Sequence, residues 1–198
     1  MIGAVDGAAA IALRRPWATA PRIARFPTVN AQGSEQVFPL LERTQTDDGA
    51  WYQALLPIRP NGSTGWIPDR QLTLRRSDYR VDIDTSRLRL TVFRLCEPIG
   101  SYAIGIGTKD TPTPRGVFFL NSLLRPPPGS IYGEFTYGLS AYSQVIRNWK
   151  GGGIVGIHGT NDPTSIGKRV SHGCIRMRNA DIRKLARTLP LGTLVTIR

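Results

Sequence analysis

Histidine and cysteine are nearly missing from this chain, with two of each in 198 residues. A closed four-ligand zinc site would have to use all of Cys96, Cys174, His158 and His172. A disulfide scaffold is equally poorly supplied, since a Cys96–Cys174 bridge is the one pairing available. Nor does any apolar run reach the ~20 residues that cross a bilayer as a helix. Acid is short as well: 14 Asp and Glu stand against 26 Lys and Arg, a formal net charge of +12. Such an excess draws a protein toward an anionic surface. The arginines are scattered, however, and no zinc finger, RNA-binding signature or basic heptad accompanies them, so no nucleic-acid partner is expected. Internal repeats are absent too. A secretory signal places its basic residues before its apolar stretch. Here the small apolar stretch Ile2–Leu13 is broken by Gly3, Asp6 and Gly7 and is followed by Arg14 and Arg15. It does not read as a signal peptide.

The scarce residues are gathered in one place. His158, His172 and Cys174 fall within Ile157-His158-Gly159-Thr160 and Ser171-His172-Gly173-Cys174-Ile175-Arg176-Met177. A thiol attacks a carbonyl carbon as its thiolate, and a nearby imidazole can take the proton. Gly173, just before the cysteine, lets the backbone turn sharply and aim N–H groups at a developing oxyanion. The residues thus point to acyl transfer by a cysteine nucleophile. Two other readings fit them: a small buried cysteine beside structural histidines, or the four-residue zinc site. The tight His172-Gly173-Cys174 spacing suits metal ligation poorly.

This pattern of His-Gly, a polar spacer, then Ser-His-Gly-Cys followed two residues on by Arg resembles the active-site signature of the YkuD-type L,D-transpeptidase catalytic domain. The resemblance extends back through Val81–Asp84 and Leu88–Phe93, which are similar to the family's opening strands. It also takes in Ile104–Gly107 and Thr111-Pro112-Thr113-Pro114-Arg115-Gly116-Val117-Phe118, and it runs from about Tyr79 to the C-terminus. It implies a mainly β fold, a β-sandwich catalytic domain with one or two short helices. The implied activity is peptidoglycan cross-linking by acyl transfer from a tetrapeptide stem to an acceptor amine, with release of D-Ala. An L,D-carboxypeptidase, an enzyme anchoring proteins to the wall, and a non-catalytic wall-binding protein are the alternatives.

The resemblance also distributes roles. Cys174 is the nucleophile and His158 its base, while His172 orients the thiolate or lines the site and Gly173 shapes the oxyanion turn. Arg176, Ser171 and Gly159 are the expected substrate-side residues, although a surface or structural salt link is open for Arg176. No Asp or Glu stands out as a partner for His158; in the family a backbone carbonyl can orient that ring. No cofactor or metal is expected. Stem peptides and carbapenem-type β-lactams are the implied partners, an anionic wall surface suits the charge, and the location is extracytoplasmic.

Ahead of this segment the texture differs. Residues 1–27, carrying Pro16, Pro21 and Pro27, read as a tail or linker. Residues 28–76 contain Trp51–Leu56 and Trp66-Ile67-Pro68 around Asn61-Gly62, a hairpin pattern. This segment resembles a bacterial SH3-like β-barrel module, with Trp51 and Trp66 serving as core or as a ligand platform. Arg75–Asp78 marks the boundary, and residues 77–198 form the catalytic domain. Within it, Ile154–Ile157 is expected as a buried strand delivering His158, and a short helix somewhere in 138–148. Gly151-Gly152-Gly153 is expected as a hinge, and aromatics from Tyr132 to Trp149 as lid residues. Asn179 should cap a helix over 180–189 whose apolar face is Ile182, Leu185 and Leu189, ended by Pro190 and Gly192. Cys96 is expected to be free and half-buried before a turn.

Overall fold

In a computed structural model that describes residues 1–147 and 152–198, the chain divides into two compact units, Met1–Ser77 and Asp78–Arg198. The first is a seven-stranded sheet in the order β3-β2-β6-β5-β4-β1-β7. Its strands are β1 (Ile2–Val5), β2 (Ala9–Leu13), β3 (Arg22–Pro27), β4 (Val37–Thr46), β5 (Gly49–Leu55), β6 (Thr64–Pro68) and β7 (Leu72–Arg75). The expected tail over residues 1–27 is therefore corrected: it supplies three strands, two of them paired well inside the sheet. Alternation explains it. Ala10 and Ala12 of β2 are fully buried beside Phe26 and Phe38, so small residues that look featureless in sequence are core positions where neighbouring elements approach closely. The expected hairpin is present as β5–β6, with Trp51 buried and Trp66 packed against it.

The second unit holds β8 (Tyr79–Asp84), β9 (Arg89–Arg94), β10 (Glu97–Ala103), β11 (Ile106–Gly107), β12 (Gly116–Leu124), β13 (Thr136–Tyr142), β14 (Ile154–His158), β15 (Arg169–Ser171), β16 (Ile175–Arg176) and β17 (Leu194–Ile197). Eight of these form one sheet in the order β10-β9-β8-β17-β12-β13-β14-β16, and β11 pairs with β15 in a second. The final strand β17 runs parallel to β8 and antiparallel to β12, so the C-terminus closes the middle of the sheet. Cys96 lies in the β9–β10 turn after Leu95, whose φ is +55°, and is exposed rather than half-buried.

The one α-helix among the described residues, α1 (Asn179–Thr188), packs Ile182 and Leu185 into the core formed by Tyr137, Leu139, Val155, Ile157 and their neighbours. Tyr137 fastens its far end, donating from its hydroxyl to the carbonyls of Leu185 at 3.1 Å and Leu189 at 2.8 Å. The helix begins one residue earlier than the sequence pattern suggested. Arg178 is the N-cap, its carbonyl receiving the N–H of Ile182, and the Asn179 side chain is engaged elsewhere. Residues 136–142 are strand β13, not helix, because Tyr137, Leu139 and Ala141 alternate into the core. The end of that expected segment, with Trp149 and Gly151, lies outside the described residues. Gly152 and Gly153 take φ of +66° and +75°, conformations that suit glycine.

Candidate active site

Strand periodicity delivers the base. In β14, Val155 and Ile157 point into the helix-covered core, which puts Gly156 and His158 on the opposite face. Strand β16 runs parallel beside β14, with Ile157 opposite Ile175 and His158 opposite Arg176. The same register sets Cys174 beside Gly156, and the Gly156 N–H reaches the Cys174 Sγ at 3.4 Å. Nucleophile and base are thus brought to adjacent positions on one sheet face, although sixteen positions separate them in the chain.

The His158 ring is buried, and its Nδ1 lies 2.5 Å from the Gly159 carbonyl oxygen. A carbonyl only accepts, so Nδ1 carries the proton in the neutral ring and Nε2 keeps its lone pair. Burial pushes the imidazole down to about 4, with Arg176 adding to the fall and the Gly159 carbonyl opposing it. Neutral at ordinary pH, this ring is able to accept a proton. Tyr132 meets it edge-on, with ring centres 5.1 Å apart at 78°. The Cys174 thiol is pushed up by burial, against a downward pull from the Gly156 N–H and from Arg176. The resting pair is therefore neutral thiol and neutral imidazole.

The turn carrying Cys174 is tied on both sides. Ser171 is buried; its hydroxyl donates to the Cys174 carbonyl at 2.6 Å and accepts the Gly173 N–H at 3.1 Å. Both bonds lie inside the turn. The second leaves the Gly173 N–H occupied. Among the described residues the Cys174 N–H has no acceptor, and it adjoins the nucleophile. Gly173 itself has φ of +111°, outside the range other residues adopt readily.

The Thr-Pro-Thr-Pro segment supplies the outer support. Thr113 donates to the Gly173 carbonyl at 2.9 Å and accepts the Gly107 N–H at 3.0 Å, while Thr111 donates to the Ser171 carbonyl at 3.0 Å. Proline cannot continue a central ladder, so this segment stays irregular and spends its hydroxyls on the turn. Thr111, Thr113 and Asn179 have contacts at the site that the sequence did not assign to them, whereas Tyr132 was expected there among the lid aromatics. The regular Thr-Pro repeat was the available signal for the first two.

Arg176 sits close enough to lower the titration of His158, Cys174 and Asp162 together. Its Nε is buried and has no acceptor among the described residues. His172, by contrast, is exposed. The four-residue zinc arrangement is not assembled: no three His, Cys, Asp or Glu side chains gather among the described residues.

A thiol on a glycine turn, a neutral buried imidazole beside it and an N–H donor at the thiol's own backbone make up the machinery of a cysteine acyltransferase. Comparison with known proteins gives the family. The model of the L,D-transpeptidase catalytic domain, YkuD, matches residues 78–197. A protein of Bacillus licheniformis named as the L,D-transpeptidase YkuD is 35% identical over 164 residues, 79% of this chain and 92% of that one. Its namesake in Bacillus subtilis is 38% identical over 119 residues, covering 60% of this chain and 65% of the relative. Among solved structures, an L,D-transpeptidase from Mycobacterium tuberculosis shares the fold at a TM-score of 0.52 and 16% identity, over 79% of this chain and 75% of that one. The chain belongs to the YkuD family of L,D-transpeptidases.

Proposed function

We propose that this enzyme forms peptidoglycan cross-links by a two-step exchange at Cys174. The thiol passes its proton to His158 Nε2 as sulfur attacks the carbonyl of diaminopimelate that precedes D-Ala in a tetrapeptide stem. The tetrahedral oxyanion is met by the Cys174 N–H. Collapse breaks the C–N bond, and His158 returns the proton to the departing D-Ala amine, leaving a thioester. The amine of a second stem then attacks, gives its extra proton to His158, and leaves as an amide while the thiol is restored. Arg176, with its unpartnered buried Nε, holds a stem carboxylate.

The observation that carries this reading is the neutral, Nδ1-anchored His158 beside Cys174 on the same sheet face. The net charge of +12 suits an anionic wall surface, and an extracytoplasmic location follows from the substrate. Among the described residues no helix is long and apolar enough to cross a membrane. A carbapenem, whose strained amide presents the same electrophile, acylates Cys174.

Intact-protein mass spectrometry after incubation with a carbapenem tests the site. A single adduct on the wild type, lost in Cys174→Ala and slowed in His158→Ala, is expected. No adduct on folded, reduced wild type overturns the nucleophile. Stem-peptide assays then separate cross-linking from release to water.

A further inference from the structure

We infer that Asn179 is a positioning residue for the base, holding His158 through the single peptide between Gly159 and Thr160. The inference rests on the reading of His158 as general base and assigns that base a support from a helix whose sequence gave no hint of it.

Asparagine at a helix start ordinarily spends its side-chain oxygen on the N–H two or three residues ahead. Here it makes no such bond. Its Oδ1 accepts the Thr160 N–H at 3.1 Å and the Glu134 N–H at 3.3 Å, and its Nδ2 donates to the Thr160 carbonyl at 3.1 Å. The Thr160 N–H and the Gly159 C=O belong to one peptide unit. That unit is planar, and in the trans form its N–H and C=O point in opposite directions. Asn179 therefore holds one end of the plane, and the His158 Nδ1–H hangs from the other.

Glycine makes the support necessary. Residue 159 has no Cβ, so the peptide on either side of it can rotate at little cost. A Cβ there would also fall on Asn179 Oδ1 and force the carboxamide to move; a Cβ on Gly133, whose φ is +66°, would collide with the same atom and with the Gly159–Thr160 backbone. The carboxamide fills the hollow that these two glycines leave, and it removes the freedom they introduce. The arrangement is reinforced one helical turn on, where Arg183 grips the Glu134 carboxylate from the same helix. Rotation of the Gly159–Thr160 plane would carry the carbonyl away from Nδ1 and release the ring and its tautomer. Misplacement of a reacting group by about 1 Å costs on the order of a hundredfold in rate.

The test uses the full chain with Asn179→Ala, Asn179→Asp and Gly159→Ala, read by single-turnover carbapenem acylation. Asn179→Ala should slow acylation roughly ten- to a hundredfold at saturating drug while leaving the half-saturating concentration within about twofold, the signature of lost orientation rather than lost binding. Asn179→Asp keeps an acceptor for both N–H groups and loses the donor to Thr160, so it should fall between. Nitrogen-15 NMR of the imidazole gives a readout that a merely structural role would not move. The wild type shows a protonated Nδ1 and a bare Nε2, and Asn179→Ala mixes the two tautomers. A variant that retains its thermal midpoint, its tautomer and its acylation rate overturns the inference. If the wild type itself forms no adduct, the reading of His158 and Cys174 fails instead, so the two failures are distinguishable.

Discussion

Thr113 offers the sharpest test of how the nucleophile turn is built. Replacement by valine keeps the shape and deletes the hydroxyl. The Gly173 carbonyl then loses its donor at 2.9 Å and the Gly107 N–H its acceptor at 3.0 Å, with both glycines buried. A buried backbone group left without a partner costs about 1–3 kcal/mol, so the loss of two should total roughly 2–6 kcal/mol. In a domain of this size that corresponds to a fall in thermal midpoint on the order of 10 °C. A kinetic effect follows from the geometry of one peptide. The carbonyl that Thr113 holds belongs to the same unit as the Cys174 N–H, the donor available to the oxyanion. Freed from Thr113, that plane can turn about Gly173 and withdraw the donor. Loss of one such donor typically slows acylation by about 100-fold or more. Thr113→Ser should restore both stability and rate. Carbapenem acylation followed by stopped-flow, beside calorimetry on the same samples, reads the two effects. A valine variant with unchanged midpoint and a rate within about twofold of wild type would refute this account of the turn.

The titration of His158 sets two pH windows. Its ring ionises near 6.5 in the unfolded chain and at about 4 in the folded one. Between these values the unfolded state binds more protons, so stability is full above 6.5 and falls as pH drops toward 4, by about 3 kcal/mol in all. Urea unfolding of the wild type and His158→Gln across this range checks it; parallel curves would contradict the burial of a neutral ring. The acid limb of the acylation rate should accordingly lie near 4, and a limb near 6.5 would indicate a solvated imidazole. Tyr137→Phe removes the hydroxyl that caps the end of α1 and should cost about 1–2 kcal/mol in denaturant unfolding, with acylation unchanged at temperatures where the protein is folded. A neutral result would mean that the Leu185 and Leu189 carbonyls find other donors.

Much of the site could be read along the chain because its chemistry is local. Ser171 through Arg176 is one turn, and a thiol, a glycine and an imidazole at such short spacing restrict the reactions available. The strand that delivers His158 was equally legible, since Ile154, Val155 and Ile157 flank glycines in a short apolar run. The helix was visible in the spacing of Ile182 and Leu185. The first 27 residues were not, because short alanine strands lack the bulky alternation that marks a strand, and their burial depends on partners far along the chain. Cys96 was expected half-buried ahead of a turn but lies exposed within the β9–β10 turn, because its exposure depends on which face of that turn is covered.

Asn179 and Thr113 mark the limit most clearly. In sequence, the first looks like a helix cap and the second like half of a turn motif. Each instead holds one peptide plane next to a proposed reacting group, nineteen residues from Thr160 in the one case and sixty from Gly173 in the other. By itself the sequence determined the family and singled out Cys174 and His158 as the proposed nucleophile and base, because residue type and short spacing carry chemical reactivity. Tertiary structure alone decided the state and aim of those groups. Burial keeps His158 neutral, strand pairing sets Cys174 beside it, and hydrogen bonds from distant segments orient the two peptides that serve them. Solvation and long-range hydrogen bonding arise only after the chain has closed on itself.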